Sequence, residues 1–142
     1  MEISTEIIAV DTSEGFDVID ITDRVEKLVA TSRLSVGSVV LFAVGATVAL
    51  TTVEYEPGLV SDMADLFEKL APKGADYAHN ERWQDGNGHS HLRASLVGPS
   101  LVIPFLSGGL TLGQWQQIVL LDFDVPARHR DIICQVMGQG AR

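Results

Sequence analysis

Residues 115–123 constrain the fold more than any other part of the sequence. Side chains alternate between the two faces of a β-strand, and here both alternating sets are mostly apolar. One set is Trp115, Gln117, Val119, Leu121 and Phe123, and the other is Gln116, Ile118, Leu120 and Asp122. A strand of this kind is covered on both sides. One face belongs to the core, and we expect a second sheet, a helix or a subunit interface to cover the other.

Further apolar and β-branched runs predict the other strands. They lie at residues 5–10, 16–21, 39–44, 47–53, 101–103 and 131–137. The first two are expected to form an opening hairpin, because a turn-rich segment separates them. The pair Gly108-Gly109 predicts a second, tight hairpin turn, since adjacent glycines supply the positive φ that such turns need.

Helical spacing of apolar residues is present in two segments, residues 23–32 and 59–70, and residues 89–97 are a candidate short helix. Residues 72–88 are polar and irregular, and we expect a long loop there that serves as a lid or carries function. About eight strands with two or three helices predict an α+β fold in which antiparallel pairing dominates.

Length and composition narrow the class of protein. The 142 residues are expected to form a single domain, residues 1–142, and 46% hydrophobic residues are too many for a disordered chain. The formal net charge of −9 argues against nucleic acid as a partner, since such binding depends on clustered Lys and Arg. No apolar run is long enough to cross a membrane. The single cysteine, Cys134, lies in an apolar run and is expected to be a buried, inert thiol, and a cytoplasmic location is favoured.

Three of the four histidines, His79, His89 and His91, lie within thirteen residues of one another. Neutral imidazole is a common ligand of zinc, so these three are candidate ligands of a divalent metal ion. On a strand, residues i and i+2 share a face, whereas on a helix they lie about 200° apart. The alternative is that they are surface histidines or helix caps.

Acidic and basic residues give further candidates. Glu54 follows an apolar strand and Asp62 lies one turn into the next helix, where carboxylates can act as a general base or hold a hard cation. Asp62 alternatively complements the helix dipole. Arg128 and Arg130 can bind a phosphate, or they are ordinary solvated charges. Glutamines flank Trp115 on both sides and would line a polar pocket or pair across a subunit contact.

An ordered set of short motifs runs along the chain. In sequence order it comprises Glu54-x-x-Pro57-Gly58-x-x-x-Asp62, Tyr77-x-His79-Asn80, His91-Leu92-x-Ala94-Ser95-Leu96-x-Gly98-Pro99-Ser100, Val102-x-Pro104, Gly109-x-x-Leu112-Gly113-x-Trp115-Gln116 and Arg128-x-Arg130. This set resembles the YjbQ family, which is often labelled secondary thiamine-phosphate synthase, over about residues 3–138. The resemblance implies an α+β, mainly antiparallel β-sandwich and a homotrimer with its site near the subunit boundary.

The resemblance also implies the site residues and an activity. The implied catalytic residues are Glu54, Asp62, His79, Asn80 and Ser95, with His91 beside them, and the implied substrate-binding residues are Trp115, Gln116, Arg128 and Arg130. The implied reaction joins a pyrimidine diphosphate to a thiazole phosphate, so the partner is a small phosphorylated metabolite, and zinc or magnesium is the expected cofactor. The alternatives are a metal-dependent hydrolase of another small molecule and a non-catalytic trimeric binding module.

The chain departs from the family pattern at one position. Where the family usually has His-Thr-(Ser or Thr), nine residues before the Glu, this sequence has Gly45-Ala46-Thr47. If that histidine is a ligand or an acid–base group in relatives, this chain lacks it, and either His89 takes its place or the activity is altered.

Overall fold

The computed structural model describes residues 1–140 and contains eight strands and four helices within them. The strands are β1 (Glu2–Asp11), β2 (Asp17–Asp20), β3 (Leu34–Ala43), β4 (Val48–Val53), β5 (Ser100–Leu106), β6 (Gly109–Leu110), β7 (Gln117–Asp122) and β8 (His129–Gly140). The helices are α1 (Thr22–Ser32), α2 (Pro57–Leu70), α3 (Ala78–Trp83) and α4 (Gly88–Val97).

The strands form two sheets in which every pairing is antiparallel. One sheet has five strands in the order β1-β8-β3-β5-β6, and the other has three in the order β2-β7-β4. The predicted α+β fold is therefore confirmed, with one helix more than the two or three expected. The additional helix, α3, lies in the segment predicted to be irregular. Its six residues include no apolar repeat, so helical periodicity could not reveal it.

Strand β7 is covered on both faces, as its sequence predicts. Ile118 and Leu120 pack into the main core, which is built from the facing sides of the two sheets and from α1. Val119 and Leu121 face the opposite way and pack with Phe67 of α2 and Ala94 of α4 in a second apolar cluster. Helices of the same chain therefore cover the second face.

The expected opening hairpin is wrong. β1 pairs with β8, and β2 pairs with β7, so the two strands belong to different sheets. Alternation of apolar and polar residues identifies a strand but carries no information about its partner. The second hairpin is confirmed, with its turn one residue earlier than predicted: Ser107 and Gly108 have φ of 52° and 76°, and Gly109 already belongs to β6. A two-residue turn with positive φ at both positions matches the twist of the flanking strands.

Helix α2 begins at a well-defined cap. The Glu56 carboxylate accepts hydrogen bonds from the backbone N–H groups of Gly58 and Leu59, and Pro57 occupies the first turn, where its missing N–H costs nothing. Helix α4 ends at Gly98, whose φ of 97° a side chain would disfavour. These two helices pack across the three-stranded sheet, and α4 positions residues of the candidate site.

The expected burial of Cys134 is confirmed. Cys134 is fully buried in the main core, and burial raises the pKa of its thiol to about 11, so it stays protonated and unreactive at neutral pH. None of the helices in residues 1–140 combines the length and the apolar character that crossing a membrane requires.

Truncation of β7 on either face should destabilise the fold to a similar degree. We expect Leu120→Ala and Leu121→Ala each to lower the free energy of unfolding by about 2–5 kcal/mol, since each leaves a cavity in a closed apolar cluster. The measurement is urea denaturation followed by circular dichroism. Leu66→Ala on the exposed side of α2 is the control and should cost less than about 1 kcal/mol. A Leu121→Ala cost as small as that of the control would contradict the two-sided packing.

Candidate functional site

Helices α3 and α4 bring two of the predicted histidines together. The imidazole rings of His79 and His91 lie 4.5 Å apart between centroids, with their planes inclined at 58°. Two shallow pockets adjoin at His91. One, of about 250 Å³, is lined by Tyr77, Ala78, His79, Gly88, His91 and Leu92, and the other, of about 360 Å³, by Gly45, Ala46, Val48, His91, Ala94, Ser95 and Pro99. We call the two pockets together the histidine cleft.

Asn80 holds the two helices in this arrangement. Its side-chain oxygen accepts a hydrogen bond of 2.8 Å from the backbone N–H of Gly88, the first residue of α4. Gly88 must be a glycine here, because a Cβ at that position would lie 2.7 Å from the Cβ of Tyr77. Asn80, a predicted catalytic residue, therefore acts in this structure as a positioning residue for the histidines.

His79 has polar neighbours on its Nε2 side. The Asn87 amide lies 3.0 Å from Nε2, and an Asp85 carboxylate oxygen lies 3.5 Å away. With its NH₂ group turned toward these neighbours, Asn87 donates to Nε2 at 3.0 Å and to Asp85 at 2.9 Å. The histidine is half-buried and held on one side, while its other face is turned to the His91 ring.

Behind the cleft, a buried ion pair joins the two sheets. Arg130 of β8 donates to both carboxylate oxygens of Asp122 of β7, from Nε at 2.8 Å and from Nη2 at 2.9 Å, and Nη2 also donates to Thr47 Oγ1 at 2.7 Å. The Arg130 residue is 7% exposed and Asp122 is 1% exposed. Such a two-point contact fixes the guanidinium plane.

Gly45 lies between this guanidinium and the cleft. Its φ is 152°, and a Cβ there would lie 2.8 Å from Arg130 Nη1 and 3.0 Å from a methyl group of Val48. Because Gly45 has no side chain, Nη1 lies close behind this wall residue of the cleft. Among residues 1–140, no hydrogen-bond acceptor is paired with Nη1.

Arg128 and Asp124 extend the same network toward solvent. Arg128 Nε donates to Asp124 Oδ2 at 2.9 Å, and about half of the Arg128 side chain is exposed. Burial opposes ionisation of Asp124, but hydrogen bonds from the Val125 N–H and from Arg128 outweigh it, and the pKa of the carboxyl lies below its ordinary value. Arg128 is the more accessible of the two predicted phosphate-binding arginines.

The structure does not bring His89 to the other two histidines. Because α4 is a helix, His89 and His91 point to opposite sides of it, as expected for i and i+2 on a helix. His89 is 3% exposed, and burial, together with the nearby charges of Arg93 and Lys73, lowers its pKa. In the described part of the chain, no three His, Cys, Asp or Glu side chains converge as metal ligands.

The remaining predicted residues lie at the other end of the three-stranded sheet. Val48 of β4 pairs with Asp122 beside the cleft, whereas Val53 pairs with Gln117 at the far end, about 17 Å away along the strand. Exposed at that end are Glu54, which follows β4, and Trp115 and Gln116, which precede β7. Gln116 donates to Thr52 at 2.9 Å, and Asp62 is exposed on the N-terminal half of α2.

Ser95 lines the cleft near its Gly45 side, and its hydroxyl donates to the backbone carbonyl of Leu92 at 2.7 Å. Of the predicted site residues, three line the histidine cleft: His79, His91 and Ser95. Asn80 is hydrogen-bonded to Gly88 of the cleft wall, Arg130 lies behind Gly45, and Arg128 is linked to Arg130 through Asp124. The other predicted residues do not line the cleft: Glu54, Asp62, His89, Trp115 and Gln116.

Sequence reasoning missed Thr47, Asn87 and Asp122 as parts of the site. The sequence did contain an indication for Asp122, because a carboxylate on an otherwise apolar strand that is covered on both faces needs a buried partner. Their spacing in the sequence did not indicate that Arg130 is the partner of Asp122. Thr47 and Asn87 carried no comparable signal.

Comparison with known proteins decides the family. The family model described as UPF0047 protein YjbQ-like matches residues 6–139. The chain belongs to the YjbQ family. A UPF0047 protein of Archaeoglobus fulgidus is 41% identical over 122 residues, which make up 86% of this chain and 93% of the relative.

Solved structures of YjbQ relatives share the fold. A YbjQ-like protein of unknown function from Sulfolobus solfataricus superposes with a TM-score of 0.91 at 30% identity, covering 97% of this chain and 99% of that one. A conserved protein of the YjbQ/UPF0047 family from Clostridium acetobutylicum gives 0.85 at 36% identity, covering 93% and 99%. The match over nearly the whole of each chain confirms the resemblance inferred from the ordered motifs.

Asp124 should give the protein a measurable acid sensitivity. Its pKa is lower in the folded protein than in the unfolded chain, so its contribution to stability is present above about pH 4 and is lost as the pH falls through the lower, folded pKa. We expect Asp124→Asn to lower the melting temperature at pH 7 and to differ less from the wild type as the pH falls below about 4.

Thermal melts across this pH range make the measurement, and Asp76→Asn, at an exposed position, is the matched control. The control should follow the wild-type curve throughout. An Asp124→Asn deficit that is the same at every pH would contradict the linkage.

Proposed function

We propose that this YjbQ-family protein is an enzyme that acts on a small phosphorylated metabolite in the histidine cleft. The observation that carries the proposal is the His79–His91 imidazole pair, which lines a cleft with an arginine nitrogen close behind its wall residue Gly45, and that nitrogen has no acceptor in residues 1–140. Imidazoles exchange protons near neutral pH, and a fixed guanidinium is suited to a phosphate oxygen. The composition supports a cytoplasmic location for this activity.

Directed hydrogen bonds, rather than net positive charge, would hold the phosphate. The charges of Arg128 and Arg130 are balanced by those of Asp122 and Asp124. Asp122 fixes the orientation of the Arg130 guanidinium, so Nη1 would bind without a further loss of side-chain freedom. Half-exposed Arg128 can supply a second, mobile contact.

The family resemblance favours one reaction, that of a thiamine-phosphate synthase with weak or promiscuous activity. A pyrimidine diphosphate would be joined to a thiazole phosphate as pyrophosphate departs. The departing pyrophosphate needs stabilisation of its growing negative charge, which Arg130 and a protonated imidazole of His79 or His91 would supply. Ser95 would accept a hydrogen bond from the substrate, since its own proton is donated to Leu92.

A homotrimer would resolve the separation of the predicted residues. Glu54, Trp115 and Gln116 lie at the opposite end of β4 from the cleft, so a head-to-tail ring would bring these residues of one subunit to the histidine cleft of the next. Apolar residues on the outer face of the five-stranded sheet support assembly. Those with the largest exposure are Ile3, Ile7, Val102 and Leu106, each at least 60% exposed.

In the trimer proposed above, the histidine cleft of one subunit and Glu54 of the next form one composite site. Loss of either part should abolish activity. We expect His91→Ala and Glu54→Ala each to lose rescue of a thiamine-auxotrophic bacterium and product formation from the purified pyrimidine diphosphate and thiazole phosphate. Leu96→Ala is the matched control on the exposed side of α4 and should retain both. Equal rescue by the wild type, His91→Ala and Glu54→Ala would overturn the proposal.

The same two variants test whether the site is shared. When His91→Ala and Glu54→Ala subunits are co-refolded, a shared site gives mixed trimers in which some sites contain neither substitution, so part of the activity returns. Light scattering establishes that trimers have formed. If mixed trimers form and remain inactive, the site is not shared between subunits.

A metal-dependent hydrolase is the second candidate, because His79 and His91 lie together and Asp85 is 3.5 Å from His79. A zinc ion would be held by His79 and His91, with a further ligand from the substrate or another subunit, and it would supply activation of water. Magnesium, the other expected cofactor, prefers oxygen ligands and does not fit two imidazoles. The residues present fit such an ion only in part, since residues 1–140 offer no preformed set of three ligands.

Metal analysis separates the two candidates. For the hydrolase we expect about one zinc per chain in protein purified without a histidine tag, falling at least tenfold in the His79→Ala/His91→Ala double variant. His129→Ala, an exposed histidine away from the cleft, is the control and should leave the metal content unchanged. Less than about a tenth of an equivalent in the wild type would exclude the hydrolase.

A further inference from the structure

A separate pocket lies on the opposite side of α4 from the histidine cleft. It has a volume of about 340 Å³ and is enclosed by α2, the start of α4, the segment before β2 and the segment after β7. No residue that lines it also lines either pocket of the cleft. Because His89 forms part of its wall, we call it the His89 pocket.

His89 has a nitrogen that the protein leaves without a partner. The Ser90 hydroxyl donates to the backbone carbonyl of Phe123, so its oxygen is left to accept from His89 Nε2, which lies 3.3 Å away. With the proton on Nε2, Nδ1 of the neutral ring is a hydrogen-bond acceptor. Nδ1 is buried and has no partner in residues 1–140. Such a group requires a donor, and an occupant of the pocket can supply one once the imidazole, whose Nδ1 is closed to solvent, turns toward it.

Two cations on the wall have donors to spare. Arg93 is 5% exposed, and it donates from Nε to the Ala71 carbonyl and from Nη2 to Glu68, which leaves Nη1 without an acceptor in residues 1–140. Lys73, also on the wall, takes part in none of the ion pairs formed within that range. A carboxylate in the pocket would be a suitable acceptor for both.

The same wall contains an anion with no cationic partner among the described residues. Asp65 of α2 lines the pocket and forms none of their ion pairs, whereas Glu68 is paired with Arg93 and Asp124 with Arg128. The uncompensated charges of the wall are thus one lysine and one aspartate. A ligand with a single charge would be attracted by one of these two residues and repelled by the other.

Aromatic rings supply an apolar surface beside these charges. Phe16 and Phe123 both line the pocket and are stacked on each other, with centroids 5.2 Å apart and planes 10° from parallel. The volume of about 340 Å³ is near the lower limit for small-molecule sites, so it suits a compact metabolite rather than a nucleotide.

We infer that the His89 pocket binds a small zwitterion of the α-amino acid class. The ligand's carboxylate contacts Lys73 and Arg93, its ammonium group donates to Asp65 and to His89 Nδ1, and its side chain lies on Phe16 and Phe123. Each end of an amino acid thus meets a wall group that has no partner in residues 1–140. This site is independent of the activity proposed for the histidine cleft.

Calorimetric titration and thermal melts of the full chain with each of the common α-amino acids test the inference. At least one should bind with one-to-one stoichiometry and raise the melting temperature. Acetate and methylamine, which each carry one of the two charged groups, should bind at least tenfold more weakly. In spectra of ¹⁵N-labelled imidazoles, the His89 Nδ1 signal should move on binding.

Substitutions in the wall of the His89 pocket test whether the amino acid binds there. Lys73→Met and Asp65→Asn should each weaken the selected amino acid at least tenfold, whereas Lys69→Met, a matched exposed lysine outside the pocket, should bind as the wild type does. The inference is overturned if no amino acid binds, if the His89 signal does not move, or if Lys73→Met binds as tightly as Lys69→Met. A crystal soaked in the amino acids that shows only water in the pocket would overturn it as well.

Discussion

The buried ion pair between Asp122 and Arg130 is the interaction on which the candidate site depends. It links β7 of the three-stranded sheet to β8 of the five-stranded sheet, so it fixes how the two layers meet at the cleft end. Removing one partner would leave an uncompensated charge in the interior, which typically costs about 3–5 kcal/mol. Thr47 and Gly45 are held against the same guanidinium, and the shape of the cleft wall follows from it.

Helix α4 separates His89 from the other two clustered histidines. His91 lies on the side of the cleft with His79, while His89 lies on the side of a pocket with a different set of charges. Two histidines separated by a single residue therefore have different chemical environments: His91 is half-exposed beside another imidazole, and His89 is buried with its pKa lowered. This division follows from helical geometry alone.

The sequence was most informative where local patterns reflect local structure. The apolar character of both faces predicted that β7 is covered on both sides, and Gly108-Gly109 predicted the turn between β5 and β6 to within one residue. The partners of β1 and β2 could not be predicted, because strand pairing depends on contacts with β8 and β7, which lie about a hundred residues or more away in the sequence. Within the site, His79 and His91 were identified by residue type and motif. The roles of Asp122 and Gly45 became visible only when β7 and β8 were placed side by side.

The single cysteine in the main core, Cys134, can report how often the five-stranded sheet opens. Cys134 is fully buried and its pKa is about 11, so a thiol reagent in neutral solution cannot reach it or find it ionised while β8 is in place. Modification then proceeds only through states in which the five-stranded sheet has opened. The labelling rate of the unmodified chain, with no introduced probe, therefore measures how often the central layer of this protein comes apart.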